Sequence, residues 1–562
     1  MESLPNLYYL LAVLRVILTL MPQSGYIHPD EFFQSPEVIA GDIFDYDTTR
    51  TWEWNVSCPL RNIITPYFIS GLPMILLKFL KDLFSIDLIS PYTLLVLPRL
   101  FCCALSFLFD YSVWIVCQRL NIKSNDAMAY LLTTASAHPI FIFCRTFSNF
   151  VEMIFFSWLL IIYYSTQKTS PSGSYCNRTW LITGITVAVG FFIRPTFLVF
   201  AFWPVLSMLY HQSRTVNLQA AINGSIRMAI SGLFIALLLI IVDSNYYRSV
   251  QGNFAITPLC FILYNINDSN LGTHGIHPRV THGLVNMFML FGPLTVALYY
   301  QTLRDIISFL ANAGNNDQIT QARISLSNRW FLKGCVYIPL VILSWIPHHE
   351  PRFILPVIFP LLILFGNNFF GSRNRFRNLI IWILFNVLGI LVFGFMHQGG
   401  IYPCMKYLHD NYKLDNGGTT INPSTNVIFY RTYMPPKFML AQFRGNKNIE
   451  IFDLAGSDYD IMLSTIESLA KDSQNSRKRN LLVTPTTVQV PTRFKLVKRF
   501  FPHWSSENPP NLLHLLNQLY DNLFILTNSQ TFDAYHDIFN RSSAIFTTLR
   551  YELTLSLYEY VV

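Results

Sequence analysis

Long apolar runs recur along most of the chain and are separated by short polar segments. A helix needs about 20 apolar residues to cross the hydrocarbon core of a bilayer, and somewhat shorter runs are tolerated inside helix bundles. Runs of roughly this length lie at residues 4–22, 91–117, 126–144, 150–166, 179–194, 196–212, 226–243, 283–302, 332–347, 353–370 and 378–396. The pattern predicts a mainly α-helical, polytopic membrane protein with about 11 transmembrane helices.

Two segments break this pattern. Residues 23–90 form a long first loop, and its stretch 60–84 mixes apolar residues with Lys78, Lys81 and Asp82, which is typical of short amphipathic helices at a membrane interface. The tail contains the strand-like runs TNVIFYRTY, IEIFDL, NLLVTP and NLFILT, which favour a small α/β domain. We therefore predict a transmembrane module over residues 1–396 and a separate C-terminal domain over residues 397–562.

Composition supports a membrane protein. Of 562 residues, 52% are hydrophobic and 13% are charged, a balance that is unusual for a soluble enzyme. The net charge of +8 is ordinary when basic residues lie in cytosolic loops, and no basic tract is interleaved with aromatic residues, so no nucleic-acid partner is expected. No basic stretch precedes the first run and no small-residue cleavage site follows it, so we predict a retained span rather than a signal peptide.

The basic residues also suggest an orientation. With the N-terminus in the cytosol, the cytosolic loops between spans hold more Lys and Arg residues than the loops on the opposite side, among them Arg119, Lys123, Arg214, Arg304 and Arg377, which agrees modestly with the positive-inside rule. The glycosylation sequons at Asn55, Asn267 and Asn540 then face the lumen, whereas those at Asn177 and Asn223 face the cytosol. This orientation places the first loop and the C-terminal domain in the lumen.

The cysteines indicate neither a redox motif nor a metal site. The chain has nine cysteines and no CxxC pair, and most of them fall in apolar runs, which is typical of buried thiols. Cys58, Cys260 and Cys404 could face an oxidising lumen, but three residues do not define a pairing.

Charged and titratable residues collect on the predicted lumenal side. Charges near the hydrocarbon region are costly, so each of them suggests a function. They come from five separate loops: Asp30, Glu31, Arg145, Glu152, Arg194, Asp243, His274, His277, Arg279, His282, His348, His349, Glu350 and Arg352. A membrane enzyme would frame an active site in this way.

Two kinds of chemistry suit these residues. A carboxylate such as Asp30, in GYIHPDEFFQSPEV, suits general-base activation of a hydroxyl. The guanidinium of Arg352, in PHHEPRF, matches phosphate oxygens, and the neighbouring histidines can add donors. The structural alternatives are that Asp30 caps a helix beside a solvated Glu31, and that Arg145 and Arg194 anchor at lipid headgroups.

Two other features of the sequence give weaker indications of function. The spacing of His274 and His277 and the run from His348 to Glu350 are rich in metal ligands, but no HExxH or matched carboxylate spacing accompanies them, so we predict no metal centre. Arg99 and Asp110 lie eleven residues apart, too far along one helix to pair directly, and are interpreted as structural.

Five motifs in order resemble glycosyltransferase family 22. They are HPDEFFQ, FFIRPT, DSNYY, THGIHP and HHEPRFILPVIFP. The likeness covers about residues 5–400, with a weaker likeness in YRTYMPPKFMLA. It implies a GT-C fold and a lumenal mannosyltransferase of the endoplasmic reticulum that uses dolichyl-phosphate mannose, with no cofactor and no obligatory metal ion.

Within the family, two stretches indicate a branch. LMPQSGYIHPDEFFQSPEV and HHEPRF resemble the enzymes that add a fourth mannose to the precursor of the glycosylphosphatidylinositol (GPI) anchor. The third-mannose and N-glycan branches more often have a GTHPWHWY-like stretch and a lysine in an HKExRF motif. This chain has GTHGIHPRVTH, and His349 stands at the lysine position.

The resemblance also implies roles for individual residues. The expected reaction is an inverting α-1,2 transfer from dolichyl-phosphate mannose to the third mannose of the GPI precursor glycolipid, by a monomer. The expected base is Asp30, with Glu31 orienting the acceptor or neighbouring cations. Arg352, His349, His348 and Arg194 are expected to bind the donor phosphate. The other expected substrate contacts are His28, Glu350, His274, His277 and Arg145.

Other functions stay open on the sequence. The same fold and chemistry would suit a third-mannose GPI mannosyltransferase or an N-glycan mannosyltransferase. A transporter or lipid scramblase is a different class, but such proteins often have inverted repeats, and none is visible here. A non-catalytic subunit of the GPI pathway would not need the adjacent carboxylates of Asp30 and Glu31.

Overall fold

The computed structural model divides the chain into two compact units. The structure describes residues 3–166, 176–247, 254–267, 270, 275–311, 326–371, 375–412, 424–446, 448–476, 478–510, 517, 543 and 545–561. The first unit comprises Met1–Leu20, Arg50–Pro73 and Leu97–Leu388, and the second comprises Met21–Thr49, Met74–Val96 and Gly389–Val562. The first loop therefore contributes to both units. The predicted domain boundary after residue 396 stays a prediction.

Helices account for most of the described residues. In chain order the α-helices are α1 (Ser3–Leu20), α2 (Asp30–Phe33), α3 (Pro36–Phe44), α4 (Ile64–Pro66), α5 (Leu72–Phe84), α6 (Pro91–Arg119), α7 (Ser124–Ala135), α8 (His138–Phe143), α9 (Ser148–Thr166), α10 (Asn177–Ile193), α11 (Phe197–Thr215), α12 (Leu218–Tyr247), α13 (Thr257–Ile266), α14 (Met287–Phe291), α15 (Pro293–Ala311), α16 (Leu326–Trp345), α17 (Ile358–Phe365), α18 (Asn367–Phe370), α19 (Arg375–Leu391), α20 (Ile401–Tyr412) and α21 (Tyr459–Ser476). Short 3-10 helices cover Trp52–Trp54, Pro351–Val357 and Lys437–Leu440, and π turns cover Tyr67–Gly71, His282–Asn286 and Val392–Met396.

Four stretches of the described residues are long and apolar enough to cross a membrane: Pro91–Arg119, Ser148–Ser165, Leu218–Tyr247 and Phe376–Met396. They coincide with four of the predicted spans. Shorter apolar helices occur at Pro5–Leu20, Asn177–Ile193, Thr257–Ile266, His282–Phe291 and Pro351–Phe365. The protein is therefore a multi-pass, mainly helical membrane protein, and the number of eleven spans stays a prediction.

A buried ion pair in the first unit joins α1 to α6. Arg15 lies 3.1 Å from the Oδ2 of Asp110 and donates a 2.9 Å hydrogen bond to Ser106. Tyr8 donates to the same carboxylate at 2.9 Å. Removing one partner of such a buried pair costs about 3–5 kcal/mol. Asp110 is structural, as predicted, but its partner is Arg15, which the spacing along α6 could not indicate.

Helices α10 and α12 of the first unit approach each other closely at Gly184. A Cβ atom at this position would lie 2.1 Å from the carbonyl oxygen of Met228. Only glycine permits this approach, and it allows Ser231 to donate a 2.9 Å hydrogen bond to the carbonyl of Leu181. Small residues at helix crossings are typical of membrane proteins. This contact fixes α10, whose C-terminal end leads directly into Arg194.

The predicted amphipathic stretch is helical. Helix α5 exposes one apolar face, and the Nζ of Lys78 donates a 2.8 Å hydrogen bond to the carbonyl of Ile43. The exposed apolar residues are Leu72, Ile75, Leu76, Phe79, Leu83 and Phe84. Its position at a membrane interface stays a prediction.

A five-stranded sheet lies in the second unit. Its strands are β1 (Thr425–Phe429), β2 (Ile449–Asp453), β3 (Arg479–Pro485), β4 (Phe494–Phe500) and β5 (Leu555–Tyr560), in the order β2-β1-β3-β5-β4. The pairs β1–β2 and β1–β3 are parallel, whereas β5 pairs antiparallel with β3 and β4. Met462 and Ile466 of α21 pack with Ile428 and Leu482 in its core. The predicted strands in the first three tail runs are confirmed, and NLFILT lies outside the described residues.

Candidate active site

Three arginine side chains of the first unit lie close together. Arg61 precedes α4, Arg194 follows α10, and Arg352 lies in the 3-10 helix Pro351–Val357. Their side chains are only 11%, 3% and 5% exposed. Arg61 and Arg352 both lie within electrostatic range of the Arg194 guanidinium. We call this set the arginine cluster. Arg145 and Arg194 are both buried, so the alternative that they anchor at headgroups is wrong.

Each arginine of the cluster lies beside one carboxylate. Arg61 Nη2 and Arg352 Nε donate 2.5 Å hydrogen bonds to Glu53 and Glu350 respectively, and Arg194 Nε lies 3.7 Å from Glu152. The list of pairs is therefore Arg61–Glu53, Arg194–Glu152 and Arg352–Glu350. Buried guanidinium groups need such partners because unpaired charges are costly away from water. The three glutamates balance the three arginines, so any additional positive charge beside the arginine cluster is available to balance a bound anion.

Aromatic rings fix the arginine side chains. The ring of Phe353 lies 5.4 Å from the Arg194 guanidinium and 5.7 Å from that of Arg352. Phe147 adds a ring at 5.6 Å from Arg352. Such ring contacts restrain the orientation of the planar guanidinium groups, whose fork of donors matches phosphate oxygens. Arg145 is buried two residues before Phe147, and its role in substrate binding stays a prediction.

Arg61 is held in place by long-range contacts that the sequence pattern did not indicate. The disulfide Cys58–Cys260 lies three residues before it. The next two residues, Asn62 and Ile63, are held by Asp243. Its carboxylate accepts hydrogen bonds of 3.1 Å from the side chain of Asn62 and from the backbone of Ile63. Asp243 also accepts a 2.7 Å hydrogen bond from Thr257. Asp243 is thus a structural residue that fixes the Arg61 loop.

A histidine cluster adjoins the arginine cluster through Glu350. His348 Nε2 donates to Glu350 Oε1 at 3.0 Å, and His348 Nδ1 donates to the carbonyl of Gly275 at 3.2 Å. Both partners are acceptors, so the two hydrogen bonds form together only when both ring nitrogens carry hydrogen, which is the positively charged form of the imidazole. The hydrogen bond to Glu350 raises the pKa of His348 above its usual value. His348 therefore supplies positive charge beyond the three arginine–glutamate pairs.

Two further histidines have ring nitrogens available for a ligand. The ring centroids of His282 and His349 are 4.4 Å apart, and both residues are buried. Asn286 donates to His282 Nδ1 at 3.0 Å, which leaves the hydrogen on Nε2. Within the described part of the chain, neither ring nitrogen of His349 nor the Nε2 of His282 has a hydrogen-bond partner. Burial lowers the pKa of His349, so a neutral ring is available to donate and accept one hydrogen bond each.

His277 connects the two histidine-bearing loops. Its backbone N–H donates to the carbonyl of Pro347 at 3.0 Å, and its Nδ1 accepts from the backbone of His349 at 3.4 Å. The structure thus brings together His277, His348, His349, Glu350, Arg194 and Arg352 of the predicted site residues. His274 lies outside the described residues. Arg61 also belongs to this site, although no sequence motif indicated it. The only sequence signal for His282 was its place as a third histidine in GTHGIHPRVTH.

If the predicted phosphate donor binds beside His348, its binding should weaken as pH rises, because His348 loses its charge. The raised pKa of His348 means that its charge, and any stability from its pair with Glu350, is complete below about pH 6.5 and is lost as pH rises through the raised value. A phosphodiester stays singly charged over this range. We expect the donor KM to rise with pH in the native protein and to stay nearly constant in His348→Gln, which keeps a donor near Glu350 but does not titrate. Initial rates from pH 5.5 to 8.5 measure this effect, and an equal pH dependence in both proteins would contradict it.

The second unit contains the turn with the adjacent carboxylates. Asp30 begins the single-turn helix α2, and its side chain is 23% exposed. Gln34 Nε2 donates to Asp30 Oδ2, and the Asp30 backbone N–H donates to His28 Nδ1 at 3.2 Å. Asp30 is therefore a partly exposed carboxylate held by neighbours, as a base requires.

The structural alternative for these carboxylates is wrong. The residue before α2 is Pro29, and no side chain caps this helix. Glu31 is fully buried, so it is not a solvated neighbour. The burial of Glu31 is consistent with a supporting role beside Asp30.

Glu37, in the same stretch, is structural. Its two carboxyl oxygens accept hydrogen bonds from the backbone N–H groups of Thr49 at 2.9 Å and Phe438 at 3.2 Å. Burial raises the pKa of Glu37 to about 8. This carboxyl group joins the first loop to the segment before β2 and is not directed at a ligand.

Comparisons with known proteins identify the family of this chain. Residues 6–442 match the Alg9-like mannosyltransferase family. The chain is 34% identical over 533 residues to GPI alpha-1,2-mannosyltransferase 4 of Homo sapiens, with 90% of each chain covered. It is 29% identical over 615 residues to GPI mannosyltransferase 4 of Drosophila melanogaster, with 90% of this chain and 86% of the relative covered.

The fold has a counterpart among solved structures. The crystal structure of ArnT from Cupriavidus metallidurans, bound to undecaprenyl phosphate, matches with a TM-score of 0.50 and 11% identity, covering 86% of this chain and 93% of that one. At this identity the likeness concerns the fold alone, and it confirms the predicted GT-C architecture. With the family match covering most of the chain, the protein belongs to the Alg9-like mannosyltransferase family and is a membrane-embedded glycosyltransferase.

Proposed function

We propose that this enzyme transfers mannose from dolichyl-phosphate mannose to the third mannose of the GPI precursor, forming an α-1,2 linkage with inversion. The observation that carries the proposal is the 34% identity to the human GPI alpha-1,2-mannosyltransferase 4 over 90% of both chains. The geometry of the site alone would suit many donors that consist of a sugar on a lipid phosphate. The name of this relative supports a GPI glycolipid as the acceptor.

The leaving phosphate is assigned to the arginine cluster. When the bond between the anomeric carbon and the phosphate breaks, negative charge grows on the phosphate, so it needs fixed positive charge rather than a general acid. Arg352 and Arg194 are buried guanidinium groups stacked on Phe353, and Arg61 lies within electrostatic range of Arg194. The charged His348, bonded to Glu350, supplements them.

The proton of the acceptor is assigned to Asp30. Inversion needs a single displacement, in which one base takes the proton of the attacking hydroxyl and no covalent sugar–enzyme intermediate forms. Asp30 is partly exposed and is held by Gln34, which suits this role. Glu31 is buried beside it and is assigned to orienting the acceptor or neighbouring cations.

The neutral histidines suit sugar hydroxyl groups better than phosphate. His349 and His282 have buried ring nitrogens that lack partners among the described residues, and a neutral imidazole can donate one hydrogen bond and accept another. This assigns His349 to the mannosyl hydroxyls of the donor, in place of the donor phosphate predicted from the sequence. His28, His277, Glu350, Arg145 and His274 are retained as substrate contacts.

The arginine cluster is assigned to the lumenal face of the endoplasmic reticulum membrane. The Cys58–Cys260 disulfide lies three residues before Arg61, and disulfides persist in oxidising compartments such as the lumen. The sequon at Asn55 lies on the same exposed loop. This orientation fits eleven spans with a lumenal C-terminal domain. The protein is proposed to act as a monomer with no obligatory metal ion.

Lipid analysis of cells that lack the protein tests this function. We expect GPI precursors with three mannoses to accumulate and four-mannose precursors to disappear. Re-expression of the native chain should restore them, whereas Asp30→Asn should not. Accumulation of two-mannose precursors would indicate the third-mannose reaction, and shortened N-glycans would indicate the N-glycan branch. Unchanged glycolipids would contradict the proposal.

A further inference from the structure

The turn that carries Asp30 is built on residues from the far end of the chain. Within the second unit, the backbone N–H of Gly25 donates to the carbonyl of Gly394 at 2.8 Å, and that of Tyr26 donates to the carbonyl of His397 at 2.7 Å. Residues 24–26 therefore run alongside residues 394–397. The approach is close, since a Cβ atom at Gly25 would lie 2.4 Å from the Phe393 carbonyl oxygen.

His397 contacts this segment with its side chain as well. Its Nδ1 lies 2.9 Å from the carbonyl oxygen of Tyr26. A carbonyl can only accept, so the His397 Nδ1 carries hydrogen and donates. Both polar backbone groups of Tyr26 are thus paired with one residue, which is itself buried. Tyr26 precedes Asp30 by four residues, so this pairing sets where the Asp30 turn begins.

His397 is fixed in turn by the C-terminal part of the same unit. The backbone of Trp504 donates to the carbonyl of Met396 and accepts from Gln398, both at 2.8 Å. The His397 ring lies 5.8 Å from Trp504 and 5.4 Å from Tyr433. These residues lie on loops next to strands β4 and β1. The histidine therefore connects the sheet to the first loop.

The ring of Tyr433 reinforces this connection. It lies 5.6 Å from Tyr26 and 6.5 Å from His28 in edge-to-face geometry. The Tyr26 hydroxyl donates a 2.7 Å hydrogen bond to the carbonyl of Met434. The aromatic groups on both sides of His397 thus limit how far the segment before Asp30 can move.

We propose that His397 is a positioning residue for the reaction: through Tyr26 it holds Asp30 where the acceptor hydroxyl is deprotonated, which gives the part of the second unit after residue 388 a role in catalysis. The proposal rests on the function proposed above for Asp30. A base that is displaced by about 1 Å can cost 100-fold in rate. Loss of the His397 donor should therefore lower kcat and leave donor binding, which belongs to the arginine cluster, nearly unchanged.

Two substitutions that place the side-chain N–H donor at different positions test this role. Asparagine presents its side-chain N–H₂ close to the position of the histidine Nδ1, whereas glutamine presents it one bond farther out. In the full-length membrane protein, we expect His397→Gln to lower kcat about 10- to 100-fold with the donor KM within about twofold. His397→Asn should retain most of the native kcat. Radiolabelled mannose transfer over a range of donor concentrations measures both quantities.

His503→Gln serves as the matched control. His503 is also buried in the second unit, but its Nδ1 accepts from the backbone of Gly400 at 3.2 Å, whereas the Nδ1 of His397 donates to Tyr26. We expect this variant to lower Tm at least as much as His397→Gln does and to keep kcat within about twofold of native. A native kcat in His397→Gln would overturn the positioning role. So would a loss of kcat in His397→Asn or in His503→Gln as large as the loss in His397→Gln.

The same assay distinguishes failure of the positioning role of His397 from failure of the proposal that Asp30 is the base. If Asp30→Asn stays active, the assignment of the base fails, whatever His397 does. If Asp30→Asn is inactive while His397→Gln has native kcat, the base assignment stands and only the positioning role fails.

Discussion

Asp30→Asn is expected to abolish mannose transfer while the protein stays folded and resident in the membrane. The amide cannot take a proton at neutral pH, and general-base catalysis contributes about 100- to 10,000-fold. The Gln34 side chain that donates to Asp30 can still donate to the amide oxygen, so the turn should keep its structure. Rates should be measured in microsomes at matched protein levels.

Asp45→Asn is the matched control for this experiment. Asp45 lies in the same unit, its side chain is 73% exposed, and its backbone is left-handed with φ of 56°, a conformation that asparagine tolerates well. We expect native activity from this variant. Transfer by Asp30→Asn within about tenfold of native would remove Asp30 from the role of base, since a general base contributes more than this.

Arg352→Gln is expected to reduce kcat/KM for the donor by about 100- to 1,000-fold, which is the range found when a group that stabilises a developing anion is removed. The substitution removes a buried guanidinium that stacks on Phe147 and Phe353. Arg352→Lys should recover only part of this loss, because an ammonium keeps the charge but not the planar fork. Initial rates at varied donor and acceptor concentrations measure it.

Arg279→Gln is the control for Arg352. Arg279 is an exposed arginine of the same unit whose guanidinium lies 4.3 Å from the ring of Trp345, so it resembles Arg352 in its aromatic contact but not in burial. Its loss should change the donor KM by no more than about twofold. If Arg352→Gln kept the native dependence on donor concentration, Arg352 would not be part of the phosphate site.

Much of the fold could be predicted because local patterns determine it. Apolar runs specified the four longest spans, and β-branched and aromatic runs specified β1, β2 and β3. The strands β4 and β5 were not predicted. Strand β4 reads FKLVKRF, whose three basic residues hide the alternation, and β5 becomes a strand through its pairing with β3 and β4. Pairing partners distant in sequence leave no local signal.

The same limit applies to the site. Asp30 and Arg352 stand out because charged residues are rare beside apolar runs. Arg61 does not, since its stretch reads as an amphipathic helix and its position depends on the Cys58–Cys260 disulfide and on Asp243. Three cysteines on the predicted lumenal side allowed several pairings. The structure selects Cys58 with Cys260 and buries Cys404 as a free thiol.

The partners of buried charges were the hardest feature to predict. The sequence analysis considered Asp110 only in relation to Arg99, on the same helix. Its partner Arg15 lies on α1, 95 residues earlier in the chain. Likewise, the support for Asp30 comes from His397 by way of Tyr26, a contact that no motif indicates. Tertiary packing, which brings these elements together, decides such pairs.

The most direct test is mannose transfer by the purified protein to defined acceptors. The protein is reconstituted in liposomes with dolichyl-phosphate mannose and with synthetic GPI glycans that end in two or three mannoses. We expect a single mannose to be added to the three-mannose acceptor only, in a linkage that α-1,2-mannosidase removes, and no transfer from GDP-mannose. Extension of the two-mannose acceptor, or transfer from GDP-mannose in place of the dolichyl donor, would contradict the account.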